Sequence, residues 1–600
     1  MRTATRRARA AFFRGRIASC NDSSTAWRIV GELGIGSRAR DSFALPIDVD
    51  TLNEHFVGVA GDSGLRDSRQ TARIAPEDRF YFSCVTELDV LEAVRRGRSN
   101  ARGVDDISLR QLAVCLHRIL PVLCDIFNAS LQSGVFPSLW KSALVRPLAK
   151  RKPPLDVGHL RPISLLCAAS KLLEYVALKQ MKAFISERGI LDDHQSGFRE
   201  HHSTHTALID MVDGVRAAVE DKDVVLMVTI DFSRAFDLVD IDLLIDRLRS
   251  YGFSDQACSW IQSFLSHRPQ IVLGPQGERS SQLHRVRGVP QRSLSGPFLF
   301  SMFINDLPSA CLHSKHHLYA DDFTIVCRGP ANQPEVIIGK MNDDLARVSR
   351  WAEENGLTIN AKKTQTIWFG SRPHVRRIRA AALPPVRLCG ESLAPCDDVK
   401  ILGCVLDETL TWREHTNFTA AKCFAALARM RRVGDFLPRH TRPMLVKSLV
   451  FPHLDYGAGL MAGLSDELST RLQRCQNAAV RFVAGVSRFE YITPSYVELR
   501  ILKLERRRGL LSLGLLASVL RHGVPAYLAV RFTFRSDNAA RSSRRSDLDL
   551  SLFDVIRTCC FEHSFYIHAA QLWNALPQGL RLLYRGSCFG RALRELFLSA

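Results

Sequence analysis

Val224-Val-Leu-Met-Val-Thr-Ile230 is an apolar run of seven residues, rich in β-branched types and bounded by Asp223 and Asp231. So short and so branched a run predicts a buried strand rather than a helix. A second apolar pattern centres on Leu318 to Val326, where Leu318, Ala320, Phe323, Ile325 and Val326 surround Asp321 and Asp322. Acids are poor strand formers, so two in succession predict a turn between paired strands.

Helical spacing fills much of the remainder. Leu88, Val90, Leu91 and Val94 suit one amphipathic helix, Leu109 to Phe127 a second and Cys167 to Arg188 a third. The loop between the first two is expected to end in a cap at Asp105 or Asp106. Ser142-Ala-Leu-Val-Arg-Pro-Leu reads as a strand, followed by a turn at 150–154. Beyond Pro384 the chain reads as mainly helical, with Arg413 to Val433, Leu468 to Ala484 and Leu502 to Arg521 each carrying arginines opposite an apolar face. Helices and short strands in this order predict an α+β fold. Residues 1–80 read as a poorly ordered basic lead-in with one helix near Val49 to Val59, and Arg535 to Arg545 as a Ser/Arg-rich linker. The six arginines of the first sixteen residues resemble a transit peptide in composition, but a plain basic leader is the preferred reading.

Composition narrows the partner. Lys and Arg number 81 against 61 acids, a formal charge of +20, and arginine carries most of the excess. Guanidinium groups chelate phosphate oxygens and stack on bases, so a polyanion, with nucleic acid foremost, is expected. The sixteen cysteines form no C-x₂-C pair, which points to a reducing compartment rather than a disulfide framework. Cys559, Cys560, His563 and His568 are the nearest approach to a zinc set, and a weak one. No run reads as long enough to span a membrane; Leu510 to Leu520, the best candidate, reads as a buried helix.

The three acids carry the chemistry. A carboxylate against a buried strand is costly unless it is paired, hydrogen-bonded or bound to metal. Asp231, Asp321 and Asp322 converging from neighbouring strands would suit Mg²⁺, and two such ions can drive an in-line displacement at phosphorus. Alone, aromatic-x-Asp-Asp is a weak signal, for which an ordinary exposed hairpin tip is the alternative.

The order of motifs around it is specific. Arg161-Pro-Ile-Ser-Leu-Leu, Gln195-Ser-Gly-Phe-Arg with Ser203-Thr and Thr206-Ala-Leu, Asp231-Phe-Ser-Arg-Ala-Phe-Asp, Gly288-Val-Pro-Gln with Gly296-Pro and Phe303-Ile-Asn-Asp-Leu-Pro, Tyr319-Ala-Asp-Asp, Gly356-Leu-Thr-Ile-Asn with Lys363-Thr, and Leu402-Gly with Asp407 and Trp412 follow one another. Gln476-Asn-Ala-Ala-Val-Arg and Leu572-Trp-Asn-Ala-Leu-Pro come after. This series resembles the reverse transcriptases of non-LTR, LINE-type retrotransposons, the jockey-like elements in particular.

The resemblance implies a right-hand polymerase: fingers and palm with an antiparallel sheet over 81–375, primer grip and helical thumb over 376–530, and a linker with a small C-terminal unit over 531–600. It implies that Asp231, Asp321 and Asp322, with the backbone carbonyl of Phe232, hold two Mg²⁺ ions, Mn²⁺ being an alternative. Phe236 falls at the steric-gate position that excludes a ribose 2′-hydroxyl, and Gln291 lines the dNTP pocket. Lys363 approaches the triphosphate as a general acid, while Arg161 and Lys171 contact it from the fingers. The implied partners are an RNA template, a DNA primer and dNTPs, with no membrane, and the implied location is nuclear after cytoplasmic synthesis.

Two departures stand out. Arg292 follows Gln291 where the family has glycine, and Leu294-Ser295 replaces an apolar pair. The upstream endonuclease of full-length relatives is not expected here, nor is their C-terminal zinc knuckle. A catalytically inactive remnant that still binds nucleic acid is therefore the alternative; a group II intron maturase fits the C-terminal motif poorly.

Overall fold

The structure, a computed structural model, describes residues 2–20, 22–35, 47–58, 75–149, 156–538, 548–552 and 555–599. The turn expected at 150–154 lies outside these residues, as does most of the Ser/Arg-rich linker. The first strands along the chain are β1 (Ala143–Ala149), β2 (Leu160–Leu165), β3 (Asp223–Ile230), β4 (Phe232–Ser233) and β5 (Arg268–Val272). Next come β6 (Leu283–Arg285), β7 (Lys315–Tyr319), β8 (Asp322–Pro330), β9 (Thr358–Ile359) and β10 (Gln365–Phe369).

The second of the two four-stranded sheets, ordered β10-β3-β8-β7, is antiparallel throughout. The run that opened the sequence reading is its inner strand β3, and both faces of that strand are buried. Val224, Leu226, Val228 and Ile230 enter one core, whereas Val225 and Met227 enter another. Two-sided burial explains why the run is continuously apolar rather than alternating. Each such side chain is worth about 1.5–3 kcal/mol of burial, so the register of β3 is firmly set.

The first core is filled by α4 (Glu87–Arg96), α5 (Leu109–Ser133), α6 (Ala168–Glu187) and the helix Pro334–Glu354. The other lies under α7 (Thr204–Glu220) and the C-terminal helices. The other sheet, β2-β1-β5-β6, has a parallel β1/β5 pair inside antiparallel edges. It is covered by α3 (Val49–Val57), whose fully buried Asn53 donates to Ser281 O at 2.9 Å and accepts from Gln270 Nε2 at 2.8 Å.

Several expectations need correction. The cap of α5 is Ser108, in a reciprocal box with Gln111, rather than Asp105 or Asp106. α5 itself runs 25 residues with a mean hydropathy of 1.5 over its best window, so it, not Leu510–Leu520, is the segment of membrane-spanning length and apolarity. Its Leu120, Leu123, Phe127 and Leu131 lie in the core.

Among the described residues, the lead-in holds three α-helices rather than one. α1 (Arg2–Ala18) and α2 (Ser23–Glu32) set Phe13, Ile17, Ile29 and Val30 into a core with Met430, Phe436 and Leu445. Nor do the last residues form a unit of their own: Phe565, Trp573 and Leu593 share the core of Val225 and Met227. In the helix Leu504–His522, Arg507 grips Asp455 at 2.5 and 2.6 Å and Arg508 is buried.

Candidate active site

Asp231 is the first residue past the end of β3, and Ala320-Asp321 is the two-residue turn that joins β7 to β8, with Tyr319 opposite Asp322. Ile230 pairs with Phe323 in the sheet, so the three acids meet at one sheet end. Their charges act on one another. Burial, then the charge of Asp231, push the Asp321 carboxyl above its ordinary range, with Arg161 opposing. Burial together with Asp321 and Asp231 pushes Asp322 up to about 6. Burial and the charge of Asp231 thus raise the proton affinity of Asp321 and Asp322, a strain that a divalent cation would relieve. The donor set therefore fits hard ions such as Mg²⁺.

The backbone around these acids is held by the other motifs. Asn360 N donates to Asp231 O at 2.8 Å, and Phe232 pairs with Ile359 through the β4/β9 ladder. On the other side, Gln195-Ser-Gly lies along the open edge of β7. Ser196 N donates to Leu318 O at 2.8 Å and Leu318 N to His194 O at 3.0 Å. Gln195 Oε1 accepts from Gly197 N at 2.9 Å and from Ala320 N at 3.4 Å. A Cβ on Gly197 would stand 2.3 Å from Ala320 N, so only glycine admits this approach. Gln195 and Gly197 thus shape the turn that presents Asp321. The motif was legible in the sequence, but its purpose was not.

The remaining expected residues divide into three groups. Lys363 Nζ stands 3.6 Å from Asp231 Oδ2, with its side chain 69% exposed. Phe236 lies stacked on Phe300 at 4.1 Å between ring centroids, with Phe198 edge-on at 6.3 Å. Gln291 donates through Nε2 to both oxygens of Asp237, at 3.2 and 3.1 Å, and Arg285 reaches the same carboxylate at 3.0 Å. Asp237, the second acid of the Asp231 motif, therefore ties the Gln291 loop to the strand end; the spacing of the two acids was its only sequence signal.

Arg161, exposed on β2, adds positive charge near Asp321. Lys171 does not join the acids. It is half-buried on α6, between Glu174 and the like charge of Arg292, and burial lowers its pKa.

The two departures have distinct structural settings. Arg292 is exposed with φ +80°, a left-handed conformation that favours glycine. Ser295 is fully buried and its hydroxyl has no hydrogen-bond partner, as expected of a polar residue at an apolar position. The neighbouring Leu294 N and Ser295 N donate to the buried Glu174 carboxylate at 2.8 and 3.2 Å, at the start of the helix Gly296–Phe303.

Further along, the motifs are structural. Asp407 accepts from Thr411 N and Trp412 N at 2.9 and 3.0 Å and so shapes the turn into the helix Arg413–Arg432. Trp573 is fully buried, and its Nε1 donates to Leu548 O at 2.8 Å.

Residues 149–406 match the family model described as reverse transcriptase (RNA-dependent DNA polymerase). The chain is 31% identical over 413 residues to the RNA-directed DNA polymerase from mobile element jockey of Drosophila funebris, covering 67% of this chain and 44% of that protein. It is 27% identical over 427 residues to the jockey polymerase of Drosophila melanogaster, covering 68% and 45% respectively. A retrovirus-related Pol polyprotein from type-1 retrotransposable element R1 of Bradysia coprophila is 26% identical over 449 residues, 71% of this chain and 42% of that one. The chain thus spans less than half the length of each of these three relatives. With the acids of β3 and the β7/β8 turn inside the matched segment, residues 149–406 are a reverse transcriptase domain of the non-LTR retrotransposon kind.

Proposed function

We propose that the chain is an RNA-directed DNA polymerase that extends a DNA 3′-end on an RNA template in the service of retrotransposition. The observation that carries this reading is the meeting of Asp231, Asp321 and Asp322 at one sheet end, where burial and the charge of Asp231 raise the proton affinity of the other two. In this reading the sheet β10-β3-β8-β7 is the palm, the sheet β2-β1-β5-β6 with its helices belongs to the fingers, and the arginine-faced helices from Arg413 to His522 are the thumb. The thumb grips the template–primer backbone through phosphate contacts, largely without reading sequence.

The three carboxylates, with the Phe232 carbonyl, would hold two Mg²⁺ or Mn²⁺ ions, which supply activation of the 3′-hydroxyl and charge stabilisation of the leaving pyrophosphate. The chain's own residues do the rest. Phe236, wedged against Phe300, bars a 2′-hydroxyl by bulk. Gln291, braced on Asp237, orients the incoming dNTP. Lys363, already beside Asp231, donates a proton from Nζ to the departing pyrophosphate. Arg161 offsets triphosphate charge, and Lys171 does so from farther back. Action on a chromosomal target implies work in the nucleus.

Arg292 favours a second reading, an inactive remnant that keeps the fold and binds nucleic acid. Primer extension on an RNA template with Mg²⁺ and dNTPs, beside Asp321→Ala, decides. Extension lost in the variant supports the polymerase; equal extension by both, or none by either, overturns it for this chain.

A further inference from the structure

Away from the carboxylate cluster, three side chains converge on the opposite end of strand β7. Asp192, His194 and His316 each offer a ligand atom, and these atoms lie within 4.8 Å of one another, all half-buried. We propose that Asp192, His194 and His316 form a second metal site, for a borderline divalent transition ion such as Zn²⁺, that clamps the Gln195 strap to β7.

The donor chemistry selects the ion class. Two imidazoles and one carboxylate suit zinc and its neighbours, whereas Mg²⁺ prefers oxygen alone. Zinc–ligand bonds near 2.1 Å in a tetrahedron set neighbouring ligands about 3.3 Å apart. His316 Nε2 and Asp192 Oδ1 already stand 3.0 Å apart, and the His194 ligand atom lies within 4.8 Å of both.

The surroundings are built like those of a metal ligand. The His194 ring lies parallel to Tyr527, with centroids 5.4 Å apart and planes at 17°. Its Nε2 faces Asp210 Oδ2 at 3.7 Å, the carboxylate–histidine arrangement that leaves the other ring nitrogen for a metal. Asp210 is itself held by Arg531. Asp192 is fixed at its backbone: its N–H donates to Asn305 Oδ1 at 2.8 Å and its carbonyl accepts from Arg199 Nη1 at 2.9 Å. His194 and His316 also line a cavity of about 970 Å³, which leaves a fourth position open to water.

The location gives the site a purpose. Asp192 and His194 precede Gln195, and His316 lies on β7 ahead of the Asp321 turn. An ion here would join the two segments that fix that turn, with hydrogen bonds from Leu318 and Ser196 beyond it. The inference does not rest on polymerase activity and is tested without it.

Chelator-stripped full-length protein would be refilled with one equivalent of Co²⁺ and then Zn²⁺. The expected result is the visible absorption of a tetrahedral nitrogen/oxygen cobalt site, displaced by Zn²⁺, kept in Asp321→Ala and in the double variant Cys559→Ser/Cys560→Ser, and lost in His316→Gln and His194→Gln. Zinc-edge X-ray absorption of the unsubstituted protein counts ligands even if a histidine variant fails to fold, and two imidazoles are expected. No stoichiometric absorption, a thiolate charge-transfer band, sulfur scattering at the zinc edge, or absorption unchanged in both histidine variants would each overturn the site.

Discussion

Replacing Arg292 by glycine separates two ways in which this chain departs from its relatives. Arg292 holds φ +80°, where the Cβ of an L-residue costs about 1–2 kcal/mol. Glycine removes that strain but gives back about 0.4–1 kcal/mol through a looser unfolded chain. The net gain for the Gln291 loop is about 0.5–1 kcal/mol, a two- to fivefold shift towards its ordered state. The side chain adds a second term, because its charge opposes Lys171, which already lies beside the buried Glu174. Single-turnover primer extension on an RNA template resolves the two. If only backbone strain matters, Arg292→Gly gains two- to fivefold and Arg292→Ala, which keeps the Cβ, gains nothing. If the guanidinium obstructs the pocket, both variants gain, and by more than fivefold. Extension unchanged or reduced in Arg292→Gly would refute both accounts of this residue.

Gln195→Ala should loosen the Asp321 turn, because its Oε1 caps both Gly197 N and Ala320 N; a fall in extension of tenfold or more is expected at an unaltered far-ultraviolet dichroism spectrum, and wild-type rates would show the turn to be self-supporting. Phe236→Val should admit ribonucleotides, read as rNTP incorporation by the variant alone; continued exclusion would remove Phe236 from the gate. Acid should destabilise the fold through its buried histidines. Burial lowers His205 and His415 from 6.5 to about 4, so both stay neutral in the folded state while the unfolded chain binds protons. Their contribution is full above pH 6.5 and is lost as pH falls towards 4, up to about 3 kcal/mol each. Urea midpoints that stay flat from pH 7 to 4.5 would contradict this.

The acids and their strands were legible in the sequence because each conflicts with its surroundings: a charged residue closing an apolar run announces either a turn or a ligand. Helices such as Arg413–Arg432 and Asp466–Ala484 were legible through periodicity. What escaped was non-local. Nothing in Gln195-Ser-Gly reveals that it lies along β7, because that pairing joins residues 123 positions apart through backbone hydrogen bonds. The same holds for Asp237, whose partners Arg285 and Gln291 arrive from later segments. Helices α1 and α2 were missed for a related reason: arginine is the commonest residue of α1, α2 is only 10 residues long, and the few apolar residues that anchor them are meaningful only against the surface formed by Met430, Phe436 and Leu445. At α5 the helix itself was legible from the spacing of Leu109 to Phe127, but its apolar content was not fully explained by it: one apolar side is core and the other is exposed at Val114 and Val122.

The docking of α1 also imposes an order on synthesis. Arg6 pairs with Asp435 across 429 positions of chain. At translation speeds of about 5–20 residues per second, the ribosome needs roughly 20 to 90 s between making the two partners. Throughout that interval Phe13, Ile17, Ile29 and Val30 have no native surface to cover them. Residues 13–30 are thus made long before the surface they dock on, and a nascent chain arrested before residue 430 would present a basic, apolar-faced helix to whatever lies nearby.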